Sequence, residues 1–371
     1  MNMNLPETAD VVVIGAGLVG GAITYALAKR RVKVVLVERS CPAAEASGGN
    51  FGLIWVQSKS PAWYLKLTMA AAQSYPDYLA ELDGSGVDIE YRREGAWDLI
   101  LTQAALEARQ RNLAWQREIP GYQAEIMPPQ EVHALEPAIA ASALVAGVYS
   151  AMDGDLNPFA LCRVLVGAAR RHGAVCCFGG EVIGIKTVRR RITKVVTAKG
   201  EIATDTVINA AGLGVNHILV MAGADALPVV GNRGQVIVTE PFPRLLARPT
   251  NIIRQTVNGN VLLGCTTEPG SSDRQGKLDD VHVLAARSIK VIPALANANC
   301  IRTWSSPRVW PVDGLPIFEQ TESLWSMYTI ATHSAVSLNP FIGETVAEWL
   351  TQGKVPPIEL RLNENRRKPA G

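Results

Sequence analysis

Six residues near the start of the sequence form the pattern that phosphate-binding turns share. Gly15-Ala16-Gly17-Leu18-Val19-Gly20 matches GxGxxG. The first glycine permits a tight turn, the second lets the backbone approach a pyrophosphate, and the third lets a helix pack closely on a strand. Glu38 follows 18 residues after Gly20, where an acid can accept hydrogen bonds from the ribose hydroxyls of adenosine. These residues predict a dinucleotide site; the alternative, a glycine-rich turn without a ligand, does not account for Glu38.

Three further segments favour FAD over NAD as the dinucleotide. Ala46-Ser47-Gly48-Gly49-Asn50-Phe51-Gly52 is a glycine-rich loop whose amides can approach the flavin side of FAD, with an ordinary surface loop as the alternative. Residues 207–212 are predicted to form a buried strand ending in small residues, where backbone can lie close to the cofactor. Residues 332–340 lead into a helix predicted over 340–352, whose N-terminus can stabilise negative charge on the flavin pyrimidine.

The elements that position these residues begin with a strand–helix–strand unit. The pattern predicts parallel strands over 10–14 and 32–38, joined by a helix over 21–30. Further helices are predicted over 62–82, 106–118, 158–172 and 281–292, the third of them capped by Asn157. Short antiparallel strands are predicted between residues 228 and 301. We therefore expect a nucleotide-binding domain interrupted by a second, β-rich domain.

Composition and charge exclude several classes of protein. Hydrophobic residues make up 48% of the 371, enough for a substantial core, so wholesale disorder is excluded. Lys and Arg number 36 against 34 Asp and Glu, which is too balanced for electrostatic binding of nucleic acid. The apolar run 11–19 is short for a membrane helix or a signal peptide, and the six cysteines form no CxxC pair. We therefore expect a cytoplasmic protein without a bound metal.

Taken in order, the motifs resemble the D-amino-acid oxidase-like family of FAD enzymes, which includes glycine oxidase and sarcosine oxidase. The resemblance spans most of the chain and rests on VVVIGAGLVGGAITYALA with VVLVER, ASGGNFG, VINAAG, GNRGQVIVTEP, SSPRVWPVDGLPIF and HSAVSLNPFIGETVAEWL. Within the family, HSAVSLNPFIGE and RTWSSPRVWPVDGLPIF look most like the B subunits of octopine and nopaline oxidases. The related hydrogen cyanide synthase and proline dehydrogenase subunits are similar as well.

The expected fold class is α/β, with a Rossmann-like FAD-binding domain on a parallel sheet and an α+β substrate domain with an antiparallel sheet. The FAD-binding domain is expected to comprise residues 8–52, 141–220 and 305–360. The substrate or interface domain is expected to comprise 53–140 and 221–304, and 361–371 to form a tail.

The resemblance also implies a non-covalently bound FAD and the residues that hold it. These are Gly15, Ala16, Gly17, Leu18, Val19, Gly20, Glu38, Arg39, Ser47, Gly48, Gly49, Asn50, Gly52, Leu53, Val182, Ala211, Gly212, Ser334, Val336, Ser337 and Leu338.

For the substrate, the resemblance implies a carboxylate anchor at Arg308, five residues before Asp313. A guanidinium holds a carboxylate through two parallel hydrogen bonds, which Lys cannot reproduce. Arg302 and Arg233 are the reserve anchors, because Val309 and Trp310 depart from the family motif and leave the direction of Arg308 open. His333 is expected beside the flavin, either positioning substrate or cofactor or bonded to backbone as a structural residue.

The implied activity is oxidation of the C–N bond of an amino acid or an opine by hydride transfer to flavin N5. Similarity to the B subunits implies a heteromeric complex whose partner subunit carries iron–sulfur clusters or a further flavin. Peripheral association with the inner face of the membrane is left open. The alternatives are a glycine, sarcosine, proline or cyanide-forming dehydrogenase subunit, a non-catalytic flavin subunit that relays electrons, and an NAD-linked dehydrogenase.

Overall fold

The structure is a computed structural model that describes residues 5–82, 84, 86–363 and 366. Most of the predicted tail beyond 363 lies outside these residues. The helices are α1 (Leu18–Lys29), α2 (Ala62–Gln73), α3 (Tyr75–Leu82), α4 (Gln103–Gln116), α5 (Pro129–Leu135), α6 (Pro158–Arg171), α7 (Val215–Met221), α8 (Leu278–Val291) and α9 (Asn339–Gln352).

The strands follow the same chain order. They are β1 (Val11–Ile14), β2 (Val34–Glu38), β3 (Leu53–Ile54), β4 (Ala96–Ile100), β5 (Glu125–Met127), β6 (Ala146–Ser150), β7 (Gly154–Asp155), β8 (Val175–Phe178), β9 (Val182–Val188), β10 (Arg191–Thr197), β11 (Gly200–Ala203), β12 (Val207–Asn209), β13 (Val229–Pro241), β14 (Ile253–Gln255), β15 (Asn260–Leu263), β16 (Glu268–Pro269), β17 (Cys300–Pro311), β18 (Ile317–Gln320) and β19 (Met327–Ala331).

A six-stranded sheet in the order β18-β19-β12-β1-β2-β8 forms the centre of the fold. All neighbours are parallel except β18 and β19, which pair antiparallel. Parallel strands are covered on both faces, and β1 and β2 are accordingly runs of Val, Ile and Leu without polar alternation. Val11 and Val13 pack in one core with α1, α6 and α9, while Val12 and Ile14 pack in another with α7 and the β9–β11 sheet.

A second, antiparallel sheet is built on two long strands. β13 and β17 pair along nearly their whole length, from Val229 with Pro311 to Thr239 with Cys300, and β15 and β16 also pair with β13. The combination of a mostly parallel sheet with separate antiparallel sheets confirms the predicted fold class. The domain boundaries stay a prediction. The boundary at 304/305 falls inside β17, and the one at 140/141 separates β6 from β4 and β5, with which it pairs.

Two details of the helices differ from the prediction or refine it. The prediction of a single helix over 62–82 is wrong, because α2 ends before Ser74 and α3 begins at Tyr75. Pro76 explains the break, since it has no N–H to donate and restricts the residue before it. The predicted cap of α6 is confirmed, because the Asn157 side chain accepts a hydrogen bond from the Ala160 backbone N–H at 3.1 Å.

Candidate active site

The glycine loop between β1 and α1 is packed too closely for other residues. Gly15 has a φ of 103°, and a Cβ there would lie 2.5 Å from the carbonyl oxygen of Ala210. A Cβ at Gly20 would lie 1.8 Å from the carbonyl oxygen of Gly15. Only glycine fits both positions, and together they bring the N-terminus of α1 against the ends of β1 and β12.

Glu38 and Ser47 hold this loop from two sides. The Glu38 carboxylate, at the end of β2, accepts the backbone N–H groups of Ala16 and Ser40, both at 2.9 Å. The Ser47 hydroxyl accepts the N–H of Leu18 at 3.0 Å and so satisfies one of the free donors at the N-terminus of α1. The Glu38 carboxylate therefore lies next to the N-terminus of α1. In dinucleotide sites, a carboxylate of this kind binds the ribose and a helix N-terminus binds the pyrophosphate.

A cleft of about 460 Å³ opens along this loop and reaches the other sheet. Of the residues predicted to bind the cofactor, those that line it are Gly15, Gly17, Leu18, Val19, Glu38, Arg39, Ser47, Gly49, Asn50, Leu53, Val182, Ala211, Gly212, Ser334, Val336 and Ser337. Those that do not are Ala16, Gly20, Gly48, Gly52 and Leu338.

The glycines outside the lining have a packing role instead. A Cβ at Gly48 would lie 2.1 Å from the carbonyl oxygen of Ala43, and Gly52 has a φ of 91°. Their absence of side chains lets the second glycine-rich loop fold tightly, which places Ser47, Gly49 and Asn50 in the cleft.

The chemistry of the cleft fits FAD. The glycine turn leaves room for a pyrophosphate against the α1 N-terminus, Glu38 supplies acceptors at the ribose position, and the loop before α9 lines the far part. That loop is tied to the second glycine-rich segment, because Ser337 Oγ accepts the backbone N–H of Trp55 at 2.9 Å. The sequence predicted all three parts, and the structure brings them to one cleft.

Arg308 lines the cleft on β17 and lies over β13. A Cβ at Gly234 would be 2.4 Å from Arg308 Nη2, so the guanidinium needs a glycine beneath it. It donates to the carbonyl oxygens of Asn232 at 3.3 Å and Thr266 at 3.1 Å, and Nη2 lies against Sγ of Cys265. Among the described residues no carboxylate forms an ion pair with it, so its charge stays free for an anionic ligand.

Neither of the two reserve anchors is among the residues that line the cleft. Arg233 is fully buried, and its guanidinium is 2.7 Å from Asp280 and 3.1 Å from Glu268. Its charge is therefore already neutralised by protein carboxylates. Arg302 is exposed at the outer end of β17, six residues from Arg308.

His333 lies in the cleft beside Arg308. Its ring packs against that of Trp310, with centroids 4.3 Å apart and an interplanar angle of 34°, and its Nε2 is 3.2 Å from the Ser334 hydroxyl. Burial, Lys59 and Arg308 hold the pKa of His333 well below its usual 6.5, so the imidazole is neutral at physiological pH. Trp310, one of the residues that depart from the family motif, thus supports the imidazole on the side of β17 that carries Arg308.

The structure adds a buried lysine that the sequence did not indicate. Lys59 lines the cleft, and its ammonium donates to the Ser334 hydroxyl at 2.7 Å. Burial lowers the pKa of Lys59 to about 8. Nearby Asp153 is fully buried too, accepts hydrogen bonds from Val56 N–H and Gln57, and has a pKa raised to about 7 by burial. In the sequence Lys59 stands alone among small polar residues, which gave no signal of burial.

The described residues meet neither the requirements of a metal site nor those of a membrane-spanning helix. They contain no cluster of three or more His, Cys, Asp or Glu side chains arranged to hold a metal ion. Within the same part of the chain, no helix has the length and apolar character needed to cross a membrane.

Comparison with known proteins gives the family. The sequence is 30% identical over 368 residues to the B subunit of opine oxidase from Agrobacterium tumefaciens (strain Ach5), covering 96% of this chain and 97% of that one. It is 27% identical over 355 residues to hydrogen cyanide synthase subunit HcnC of Pseudomonas aeruginosa, covering 84% of each. The crystal structure of glycine oxidase from Geobacillus kaustophilus matches with a TM-score of 0.89 at 25% identity, covering 97% of this chain and 99% of that one.

The model of the DAO family, described as FAD dependent oxidoreductase, matches residues 10–349. This range includes the glycine turn, Lys59 and Arg308 beside His333, and the first turns of α9. The chain therefore belongs to the DAO family of FAD-dependent oxidoreductases.

Proposed function

We propose that the protein oxidises the C–N bond of an amino acid or N-substituted amino acid, with an opine such as octopine or nopaline as the preferred substrate. The observation that carries this proposal is Arg308, a cleft-lining guanidinium with no carboxylate partner among the described residues. The similarity to the opine oxidase B subunit and to glycine oxidase supports the same proposal, because these enzymes are named after such substrates.

In this reaction the protein binds and orients the substrate. Arg308 would hold the α-carboxylate, since its contacts with the carbonyl oxygens of Asn232 and Thr266 and with Cys265 Sγ use only some of its five N–H groups and leave the others for a ligand. Neutral His333, whose ring packs against Trp310, lines the cleft together with Arg308. Bound FAD supplies the acceptor for the hydride that leaves the α-carbon. The oxidised imine then hydrolyses in water to an amino acid and a 2-oxo acid.

The proposed cofactor contacts follow from the cleft. Glu38 would accept hydrogen bonds from the ribose hydroxyls. The N–H groups at the start of α1 would donate to the pyrophosphate, and the Leu18 N–H would do so in place of its bond to Ser47. Ser334, Val336 and Ser337, in the loop before α9, would lie at the flavin end.

The experiment that tests the function is anaerobic mixing of the purified flavoprotein with a panel of octopine, nopaline, glycine, sarcosine and proline. We expect an opine to bleach the flavin absorbance fastest. Faster bleaching by glycine, sarcosine or proline would replace the opine with that substrate. No bleaching by any of them, with normal bleaching by dithionite, would contradict a catalytic role and support a subunit that only relays electrons.

We further propose that the chain works as one subunit of a heteromeric, cytoplasmic complex. The support is the word "subunit" in the names of the opine oxidase relative and of HcnC, together with the lack of a metal-binding cluster among the described residues. We expect the isolated chain to react slowly with oxygen and to gain turnover when produced together with partner subunits. Rapid oxygen-dependent turnover by a chain that stays monomeric in light scattering would contradict this assembly.

A further inference from the structure

Ser334 lies at the centre of a buried hydrogen-bonded cluster on one wall of the cleft. Its Oγ is 2.7 Å from Lys59 Nζ, 2.7 Å from the Tyr64 hydroxyl and 3.2 Å from His333 Nε2. Lys59, Tyr64 and Ser334 are all buried, and Lys59, His333 and Ser334 line the cleft. The cluster joins three segments: the chain before α2, α2 itself and the loop before α9.

The donors in this cluster determine the direction of each hydrogen bond. A charged Lys59 can only donate, and the buried Tyr64 hydroxyl has no other partner among the described residues, so it donates as well. Both lone pairs of Ser334 Oγ are then occupied, and its own hydrogen must point to His333 Nε2. Because the imidazole is neutral, its single proton is on Nδ1.

The remaining polar atom of this cluster is His333 Nδ1. It is buried and has no hydrogen-bond partner among the described residues. A buried polar atom without a partner is costly, so a bound molecule in the cleft is its natural partner. Since the other face and edge of the ring contact Trp310 and Ser334, Nδ1 is the atom through which this cluster reaches a ligand.

Loss of the Lys59 proton reverses the whole chain of hydrogen bonds. A neutral Lys59 amine accepts from the Ser334 hydroxyl, and Ser334 Oγ then accepts from His333 Nε2–H. The imidazole stays neutral, but its proton has moved from Nδ1 to Nε2. Nδ1 thereby changes from a donor to an acceptor.

We propose that Lys59, acting through Ser334 and His333, takes the proton from the ammonium group of the substrate, a step that rests on the proposed function. The ammonium proton passes to His333 Nδ1 while Nε2–H passes to Ser334 and the Ser334 hydrogen passes to Lys59. One N–H bond breaks at the substrate and one forms at Lys59, so the net change is a single proton transferred. The amine lone pair that oxidation requires is then free.

Burial and Asp153 set the pKa of Lys59, and further titratable groups surround it. Tyr64 faces it from α2, with its ring centroid 5.3 Å from Nζ, and His333 and Ser334 face it from the loop before α9. Asp153, from the turn after β6, raises the Lys59 pKa, against the larger opposite effect of burial. Arg308, from β17, lowers the pKa of His333. The result is a lysine with a pKa of about 8, close enough to neutrality to accept a proton.

The direct test is the position of the His333 proton in the FAD-loaded protein. Ring ¹⁵N shifts of labelled histidine, assigned with His333→Gln, should report a proton on Nδ1 below about pH 8 and on Nε2 above it. In Lys59→Met and in Ser334→Ala the change near pH 8 should disappear. A His333 tautomer that stays constant from pH 6 to 10 in the wild type would overturn the relay, whatever the substrate.

The kinetic test is the pH profile of flavin reduction by the best substrate. In the wild type the rate should rise to a plateau above about pH 8. In Lys59→Met the rise should move to the pKa of the substrate's own amine, with a loss of about 100-fold at pH 8. Ser334→Ala should lose as much, and the double variant no more, because both remove one pathway. Lys66→Met, an exposed position in α2, is the control.

These outcomes separate the relay from the proposed function. If no substrate reduces the flavin but the tautomer still changes near pH 8, the function is wrong and the hydrogen-bond chain stands. If an opine reduces the flavin and Lys59→Met keeps the wild-type profile, the function stands and the relay is wrong.

Discussion

Arg308 owes its position to the alternation of side chains along β17. Ser306, Arg308 and Trp310 are partly exposed and alternate along the strand with the buried residues Ser305, Pro307 and Val309. Arg302 has the same parity but does not line the cleft, so it is a matched control on the same strand for a test of Arg308.

Arg308→Leu should abolish most substrate-dependent reduction and leave FAD bound. Truncating one side of a charged, hydrogen-bonded pair typically costs ~2–5 kcal/mol, so kcat/KM should fall about thirtyfold or more. Arg308→Lys should recover part of it, because an ammonium cannot present the planar fork. Stopped-flow reduction by substrate, with dithionite as reference, measures this. Arg302→Leu should be near normal; equal losses in both variants would mean that Arg308 is not the anchor.

Glu38→Ala should weaken retention of FAD more than it weakens the fold. The variant loses the proposed bonds to the ribose, about 1.5–3 kcal/mol, and also the acceptor for Ala16 N–H and Ser40 N–H. Flavin content after dialysis is the measurement, with circular dichroism to follow the fold and exposed Glu125→Ala as control. Unchanged flavin content would place the ribose elsewhere in the cleft.

Among the elements, α1 depends on how closely its first turn approaches β1. Gly20 is in that turn, whereas Gly167 lies in α6, where an added Cβ would meet only the Arg171 side chain, at 3.8 Å. Both are glycines inside helices, where the intrinsic preference favours alanine by about 1 kcal/mol. The two positions therefore separate helix propensity from packing.

Gly20→Ala should prevent FAD binding and destabilise the fold, since its Cβ would lie 1.8 Å from the Gly15 carbonyl oxygen. Gly167→Ala should instead stabilise the protein by about 0.5–1 kcal/mol. Denaturant unfolding and flavin content measure the pair. If Gly20→Ala binds FAD as tightly as the wild type, the turn can move and the close approach is not required.

Elements with a strong local signal could be predicted from the sequence. The β1–α1–β2 unit, the Asn157 cap and the helix before the C-terminus follow from periodicity, glycines and capping residues, which act over a few positions. The Lys59 site could not be predicted in this way. Its burial depends on Tyr64 in α2, Asp153 after β6 and Ser334 before α9, contacts that no local pattern encodes. Likewise, only the tertiary structure shows that Arg233 is neutralised by Asp280.

For the molecule as a whole, Asp153 should make stability fall as the pH rises. Burial raises its pKa from 3.8 to about 7, so the folded chain holds this proton more tightly than the unfolded chain between those values. The stabilisation is full below pH 3.8 and is lost on passing pH 7. Ionising the group in the fold therefore costs up to about 4 kcal/mol of unfolding free energy.

Asp153→Asn should remove this dependence. The unfolding midpoint temperature of the wild type minus that of the variant should decrease from pH 4.5 to pH 7.5. Scanning calorimetry at both pH values measures it, with exposed Glu125→Gln expected to show a constant difference. A wild-type advantage that grows with pH would mean that Asp153 is ionised in the fold and stabilised there.

The order of strands in the parallel sheet also constrains how the protein is made. β1 leaves the ribosome well before its neighbour β12, and β19 follows later still, because both come much later in the chain. During synthesis the glycine turn therefore emerges long before the His333 loop that lines the opposite end of the cleft. The cleft that would hold the flavin is therefore complete only after the His333 loop has been synthesised, and without a ligand the Ser47 hydroxyl supplies the start of α1 with an acceptor.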